Sequence, residues 1–167
     1  MEDSVAIVGY MGSGKTTLAR LLARDLDLKY VDLDRAIVKR AGQGIPEIFA
    51  QRGEKHFRDL EHRALRDALK KGSPSVVACG GGVVIRPENR SLLRDVTTVF
   101  LREDTDVLYE RTRGPGRPLR AASREEFRLR YAERLPFYRE VADLEVEVDG
   151  RPPAKVAQEV LGCLSRP

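Results

Sequence analysis

The eight residues Gly9-Tyr10-Met11-Gly12-Ser13-Gly14-Lys15-Thr16 fit G-x-x-x-x-G-K-[ST] at every fixed position, the spacing of a loop that wraps a polyphosphate. Glycines let such a backbone curl until its N–H groups point inward, and the first turn of a following helix adds its positive dipole end. In this arrangement Lys15 sits on the β- and γ-phosphates of a nucleoside triphosphate and the Thr16 hydroxyl on Mg²⁺. The expected nucleotide-binding set is Gly12, Ser13, Gly14, Lys15, Thr16 and Thr17. Two carboxylates, Asp32 and Asp34, suit the other needs of phosphoryl transfer: one to support the metal, the other to take a proton from an attacking hydroxyl. Alone they read as strand-end acids or a helix cap; beside a phosphate loop they read as functional. Gly80-Gly81-Gly82 allows a ligand to approach the backbone closely with donors free.

Further candidates are weaker by themselves. Arg58 has Glu61 three residues on, which by pattern alone is a surface ion pair along a helix. Arg117 lies in Arg113-Gly114-Pro115-Gly116-Arg117-Pro118, a stretch that can be neither helix nor strand and suits a lid delivering an arginine to the transferring phosphate. Arg134 precedes Leu135-Pro136-Phe137-Tyr138. His56 and His62 are read as helix-surface residues without a catalytic role.

The elements that must position these groups follow from periodicity. Val5–Val8 is an apolar run of the length of a buried parallel strand, and Leu18, Leu21, Leu22 and Leu26 mark an amphipathic helix after the loop. Lys29–Asp34 reads as a second strand, with residues 32 and 34 on one side of it. A short helix around Ala36–Val38 stops before Gly42. Pro46 opens another that Gly53 ends, and a longer helix runs from about Glu54 to Lys71. Ser75–Cys79 and Thr97–Leu101 are further strands, and Pro87 opens a helix between them. Thr105 or Asp106 caps a helix through Arg111. Ser123–Glu126 is a capping box whose helix Pro136 interrupts or ends. Leu144–Val148 is an outer strand, and Pro153–Leu164 a closing helix. Strands alternating with helices imply an α/β fold with a parallel sheet covered on both faces. Ligands of such folds lie beyond the carboxyl ends of the strands, where the phosphate loop, Asp32/Asp34 and Gly80–Gly82 all fall.

Composition sets limits. At 167 residues one domain is expected. No apolar run approaches the roughly 20 residues of a membrane span, and Met1–Ser4 has no basic region of a secretory signal. Two distant cysteines, Cys79 and Cys163, indicate neither a metal site nor a disulfide framework. A cytoplasmic monomer is expected. The charge of +4 comes mostly from basic residues alternating with acids. Aromatics make up only 6% with no tryptophan, so no nucleic-acid partner is expected and anionic small molecules account better for the arginines.

The motif order, from Gly9–Thr16 through Val31-Asp-Leu-Asp-Arg35, Ile45-Pro-Glu-Ile-Phe49, Gly53-Glu-x-x-Phe-Arg-x-x-Glu61, Gly80–Gly82, Arg117-Pro-Leu and Arg134-x-Pro-x-Tyr138, resembles shikimate kinase from Val5 to Val148. The resemblance implies a P-loop NTPase fold of three layers, α/β/α, with a five-stranded parallel sheet. It implies a mobile lid at about 112–124 and a mobile substrate-binding segment at about 33–61, all within one kinase domain over 1–167. It further implies ATP and Mg²⁺ as cofactors, with phosphorylation of the 3-hydroxyl of shikimate in the route to chorismate and the aromatic amino acids. Lys15 and Thr16 then serve ATP and Mg²⁺, and Asp32 supports the metal. Asp34 contacts shikimate hydroxyls and is the candidate base. Arg58 and Arg134 hold the shikimate carboxylate, Gly80–Gly82 supply backbone contacts, Arg117 is the lid arginine, and Arg111 lies against the adenine. Cys79 stands where the family often has a hydroxylated or aliphatic residue. A gluconate-type or other small-metabolite kinase is the rival on this fold. A nucleotide-binding regulatory module is the rival outside enzymes.

Overall fold

The computed structural model describes residues 3–70, 72–113 and 123–165. Its centre is strand β1 (Val5–Val8), every residue of which is buried, as a strand covered on both faces must be. Around it stand β2 (Lys29–Asp32), β3 (Ser75–Ala78), β4 (Thr97–Arg102) and β5 (Leu144–Glu147). The five form one parallel sheet in the order β2-β3-β1-β4-β5. The α/β reading and the strand count both hold.

Alternation along the strands divides the core into two layers. Val5, Ile7, Val76, Ala78, Val99 and Leu101 face helices α1 (Lys15–Asp25) and α7 (Pro153–Leu164) through Leu18, Leu22, Val156 and Val160. Ala6, Val8, Val77 and Phe100 face the opposite layer. That layer holds α2 (Leu33–Ala41), α3 (Ile45–Ala68), α4 (Pro87–Arg94), α5 (Thr105–Arg111) and α6 (Arg124–Val141). Because β2, β3 and β1 are neighbours, Asp32 pairs in register with Ala78, and Ala78 with Ile7. The chain therefore leaves all three strands side by side, at one rim.

Four local readings are corrected. Asp32 and Asp34 do not share one side of an extended strand. The strand ends at Asp32, whose carboxylate accepts the Arg35 N–H at 3.1 Å and so caps α2, placing Asp34 in its first turn. Helix α5 is capped by Asp104, not Thr105 or Asp106, through bonds from Asp106 N and Val107 N at 2.8 and 3.3 Å. Pro136 neither ends nor interrupts α6, which runs on to Val141. Proline removes one backbone hydrogen bond, but buried Phe127, Tyr131, Tyr138 and Val141 anchor the helix on both sides of it. The Arg58–Glu61 pair is buried rather than exposed.

Gly53 does separate two helical segments, within α3, at φ 78° and ψ 172°, a region open essentially to glycine alone. Gly53→Ala is expected to lower the unfolding free energy by about 1–3 kcal/mol. Gly162→Ala, on the exposed side of α7 where a Cβ meets nothing within 4 Å, should raise it by roughly 0.5–1 kcal/mol. Urea titrations followed by circular dichroism check both, and equal effects would contradict this reading of Gly53.

Candidate functional site

The loop after β1 turns through positive φ at Gly9, Gly12 and Gly14. At Gly9 the space is closed as well, since a Cβ there would lie 2.8 Å from the Leu101 carbonyl oxygen. Gly14, in the left-handed conformation, precedes α1 without a side-chain cap, so the first-turn N–H groups carry the positive end of the helix dipole unneutralised. Lys15 opens the helix, and its Nζ donates to the Tyr10 carbonyl oxygen at 2.9 Å. Gly12, Gly14, Lys15 and Thr16 line a cleft of about 580 Å³. Of the remaining residues expected on the nucleotide side, Ser13 is buried within the loop and Thr17 lies on the exposed first turn of α1; neither lines the cleft.

Asp32 and Asp34 line the same cleft. The Asp32 carboxylate is fixed by the Arg35 N–H and by the Tyr30 hydroxyl, each at 3.1 Å. A carboxylate accepts about four hydrogen bonds or ligands, so these two bonds orient it without exhausting it. Among the described residues no group of three or more His, Cys, Asp or Glu side chains could hold a metal ion alone. The Thr16 hydroxyl and Asp32 fit instead a hard cation that draws its other oxygen ligands from phosphates and water. Asp34 stands beside the glycine triplet: a Cβ placed on Gly80 would come within 3.3 Å of its Oδ1 and 3.1 Å of Glu61 Oε2.

Further lining comes from α3 and α6. Beyond the Gly53 break, α3 turns Arg58 and Glu61 inward, leaving them 5% and 1% exposed. The guanidinium donates to Glu61 Oε1 at 2.8 Å and to Glu54 Oε1 at 3.3 Å, and lies 5.2 Å from the centre of the Phe57 ring. Its Nε has no hydrogen-bond partner among the described residues. Burial pushes the Glu61 carboxyl above the ordinary glutamate range, while the Arg58 charge pulls it back down. A Cβ on Gly82 would collide with the Arg58 guanidinium, and one on Gly81 would stand 3.3 Å from Met11 N. The triplet is thus the place where α3 and the phosphate loop both press on one backbone. Arg134, on α6, lines the same cleft with its guanidinium 5.3 Å from the centre of the Tyr10 ring. Cys79 is buried at the cleft floor, and burial holds its thiol in the neutral form.

One cleft therefore brings together Lys15, Thr16, Asp32, Asp34, Arg58, Gly80–Gly82, Arg111 and Arg134. Arg117 lies outside the described residues. Sequence reasoning missed the partner of Arg111: Glu103, a buried carboxylate just beyond β4, meets Arg111 NH2 at 3.3 Å. It missed Tyr10 as the surface under Arg134, and Asn89, which meets His62 Nδ1 at 2.7 Å. The run Arg134-x-Pro-x-Tyr138 was the only available signal: Arg134 with Tyr10 and His62 with Asn89 join residues far apart in the chain, and nothing in the short stretch from Glu103 to Arg111 marks them as a pair. Chemically, the arrangement can hold a polyphosphate on one wall and a small carboxylated polyol on the other, with Asp34 between them.

A family model described as shikimate kinase matches residues 11–165. A shikimate kinase of Ralstonia nicotianae is 45% identical over 154 residues, covering 90% of this chain and 80% of that protein. Another, of Dictyoglomus turgidum, is 35% identical over 166 residues, covering 96% of each. Among solved structures, shikimate kinase from Acinetobacter baumannii in complex with shikimate superposes with a TM-score of 0.91 at 32% identity, covering 97% of this chain and 92% of that one. A gluconokinase from Sinorhizobium meliloti, at 20% identity and a TM-score of 0.63, covers 99% of this chain and 93% of its own and shares the fold alone. The chain belongs to the shikimate kinase family, whose members are ATP-dependent kinases.

Proposed function

We propose that the chain transfers the γ-phosphoryl group of ATP to the 3-hydroxyl of shikimate, giving shikimate 3-phosphate and ADP. The observation that carries this reading is a buried guanidinium, Arg58, lining the same cleft as the phosphate loop, with Arg134 lining it too. Two arginines on one wall suit a carboxylate, which guanidinium groups grip through paired hydrogen bonds. The hydroxyls of the same substrate suit Asp34 and the backbone of Gly80–Gly82.

In this reading Asp34 orients the attacking hydroxyl and takes its proton as the new O–P bond forms and the bond to the bridging oxygen of ADP breaks. Lys15 and the α1 N-terminus stabilise charge on the phosphoryl oxygens, and Arg117 joins them from the lid at about 112–124. Gly12, Ser13, Gly14, Thr16 and Thr17 complete the phosphate cradle, and Arg111 lies against the base. Thr16 and Asp32 hold Mg²⁺, which when bound offsets the negative charge of the β- and γ-phosphates. Residues 33–61 form the acceptor-binding segment. The chain works as one cytoplasmic kinase domain and as a monomer, on a small molecule rather than nucleic acid or membrane; no described helix is long and apolar enough to cross a membrane.

A coupled assay should record ADP release that requires both shikimate and Mg²⁺; release indifferent to shikimate would overturn the proposal. Asp34→Asn should lower turnover by about 10²–10⁴-fold, the range for general acid–base groups, with the KM for ATP nearly unchanged. Unaltered turnover would remove Asp34 from the chemistry. Arg58→Lys keeps a positive charge beside Glu61 but loses the planar fork. It should raise the shikimate KM by about 10- to 100-fold, on the scale of one charged hydrogen bond. A rise in the ATP KM instead would place Arg58 on the wrong wall.

A further inference from the structure

Three consecutive glycines have the least constrained backbone a chain can offer, so the direction of each peptide in Gly80–Gly82 has to be imposed from outside. Hydrogen bonds on the carbonyl side impose it. The Gly80 and Gly82 carbonyl oxygens accept from Val83 N and Ile85 N, each at 3.1 Å. The Val83 oxygen accepts from Asn89 Nδ2 at 2.9 Å, and those of Val84 and Ile85 from Arg90 NH1 at 2.8 and 3.0 Å. The remaining carbonyl, Gly81, accepts from the hydroxyl of Tyr138. That is the one bond in the set supplied from α6, 57 residues away.

A trans peptide is planar, with its C=O and N–H pointing in opposite directions. Fixing the Gly81 carbonyl therefore fixes the N–H of Gly82. Tyr138 is itself held firmly: fully buried, its ring stacks on Phe100 of β4 with centroids 5.0 Å apart and planes at 16°. Arg134 stands four residues earlier on α6 and hence on the same face of the helix, its guanidinium over Tyr10 of the phosphate loop. One ridge of one helix thus carries both a cationic substrate-side group and the anchor of the glycine peptide.

We propose that Tyr138 is a positioning residue for the acceptor substrate: its hydroxyl, bonded to the Gly81 carbonyl, aims the Gly82 N–H away from the core and fixes its spacing to Arg134. This rests on the reading of Arg58, Arg134 and Gly80–Gly82 as the acceptor wall. Loss of the hydroxyl frees the Gly81–Gly82 peptide to rotate, which weakens the acceptor while leaving the nucleotide side untouched.

Tyr138→Phe keeps the ring and its stack and removes only the oxygen. Steady-state kinetics on this variant should show the shikimate KM raised at least tenfold, with the ATP KM within twofold of the original. An unchanged shikimate KM, whatever the melting temperature does, would reduce Tyr138 to a packing residue and overturn the proposal. Arg134→Ala, assayed in parallel, separates the role of Tyr138 from that of the acceptor wall. If it leaves the shikimate KM unchanged, the acceptor wall itself is misassigned; if it raises the KM while Tyr138→Phe does not, only the role of Tyr138 fails. Should Tyr138→Phe not fold, ¹⁵N-glycine labelling of the unaltered protein gives a second test. Titration with shikimate should shift the Gly82 amide resonance in a saturable way, and a stationary resonance would overturn the proposal.

Discussion

A guanidinium almost entirely withdrawn from water, bonded to a carboxylate more deeply buried still, is the contact on which the proposed acceptor wall depends. Arg58 and Glu61 meet at 2.8 Å under the glycine triplet. Desolvating two charges is expensive, and a buried pair is a weak source of stability compared with apolar residues of the same size. The opposed influences on Glu61, burial raising its pKa and Arg58 lowering it, express the same conflict. What the pair supplies is position. Arg58 cannot swing toward solvent without leaving Glu61 as a lone buried acid, and it can lie against the backbone only because position 82 has no side chain.

The two walls differ in how they are made rigid. The phosphate loop is held by its own glycine conformations and by the strand and helix on either side, a local device. The proposed acceptor wall is assembled from α3, α6 and the loop after β3, which meet only in the folded chain. Tyr10 joins the walls, since it belongs to the phosphate loop yet supports Arg134 and packs edge-on against Phe127 at 4.8 Å.

That difference explains what was legible in the sequence. Val5–Val8, the phosphate loop, the break at Gly53 and the bounds of α7 are written in short-range signals, namely apolar runs, glycines and proline at a helix start. The parity argument for Asp32 and Asp34 failed because an aspartate at a strand end can cap a helix at once, and the bond to Arg35 N does so. Periodicity placed Arg58 and Glu61 on one helical face but could not say whether that face met water or a cleft. Pro136 shows the converse, a strong local stop signal overridden by aromatic anchors on both sides of it. The contact of Tyr138 with Gly81 depends on how α6 packs beside the loop after β3, which no single stretch encodes, and the pairing of Arg111 with Glu103 depends on how α5 turns back from the end of β4.

Central to the proposed function is a cleft with a nucleotide wall and an acceptor wall, with Asp34 at the acceptor hydroxyl. A crystal structure of the protein with shikimate and ADP tests both walls in one electron-density map. The shikimate carboxylate is expected between Arg58 and Arg134, its 3-hydroxyl within hydrogen-bond distance of Asp34, and the ADP phosphates along Gly12–Thr16. A carboxylate bound at Lys15 instead, or a 3-hydroxyl turned away from Asp34, would contradict the proposed function.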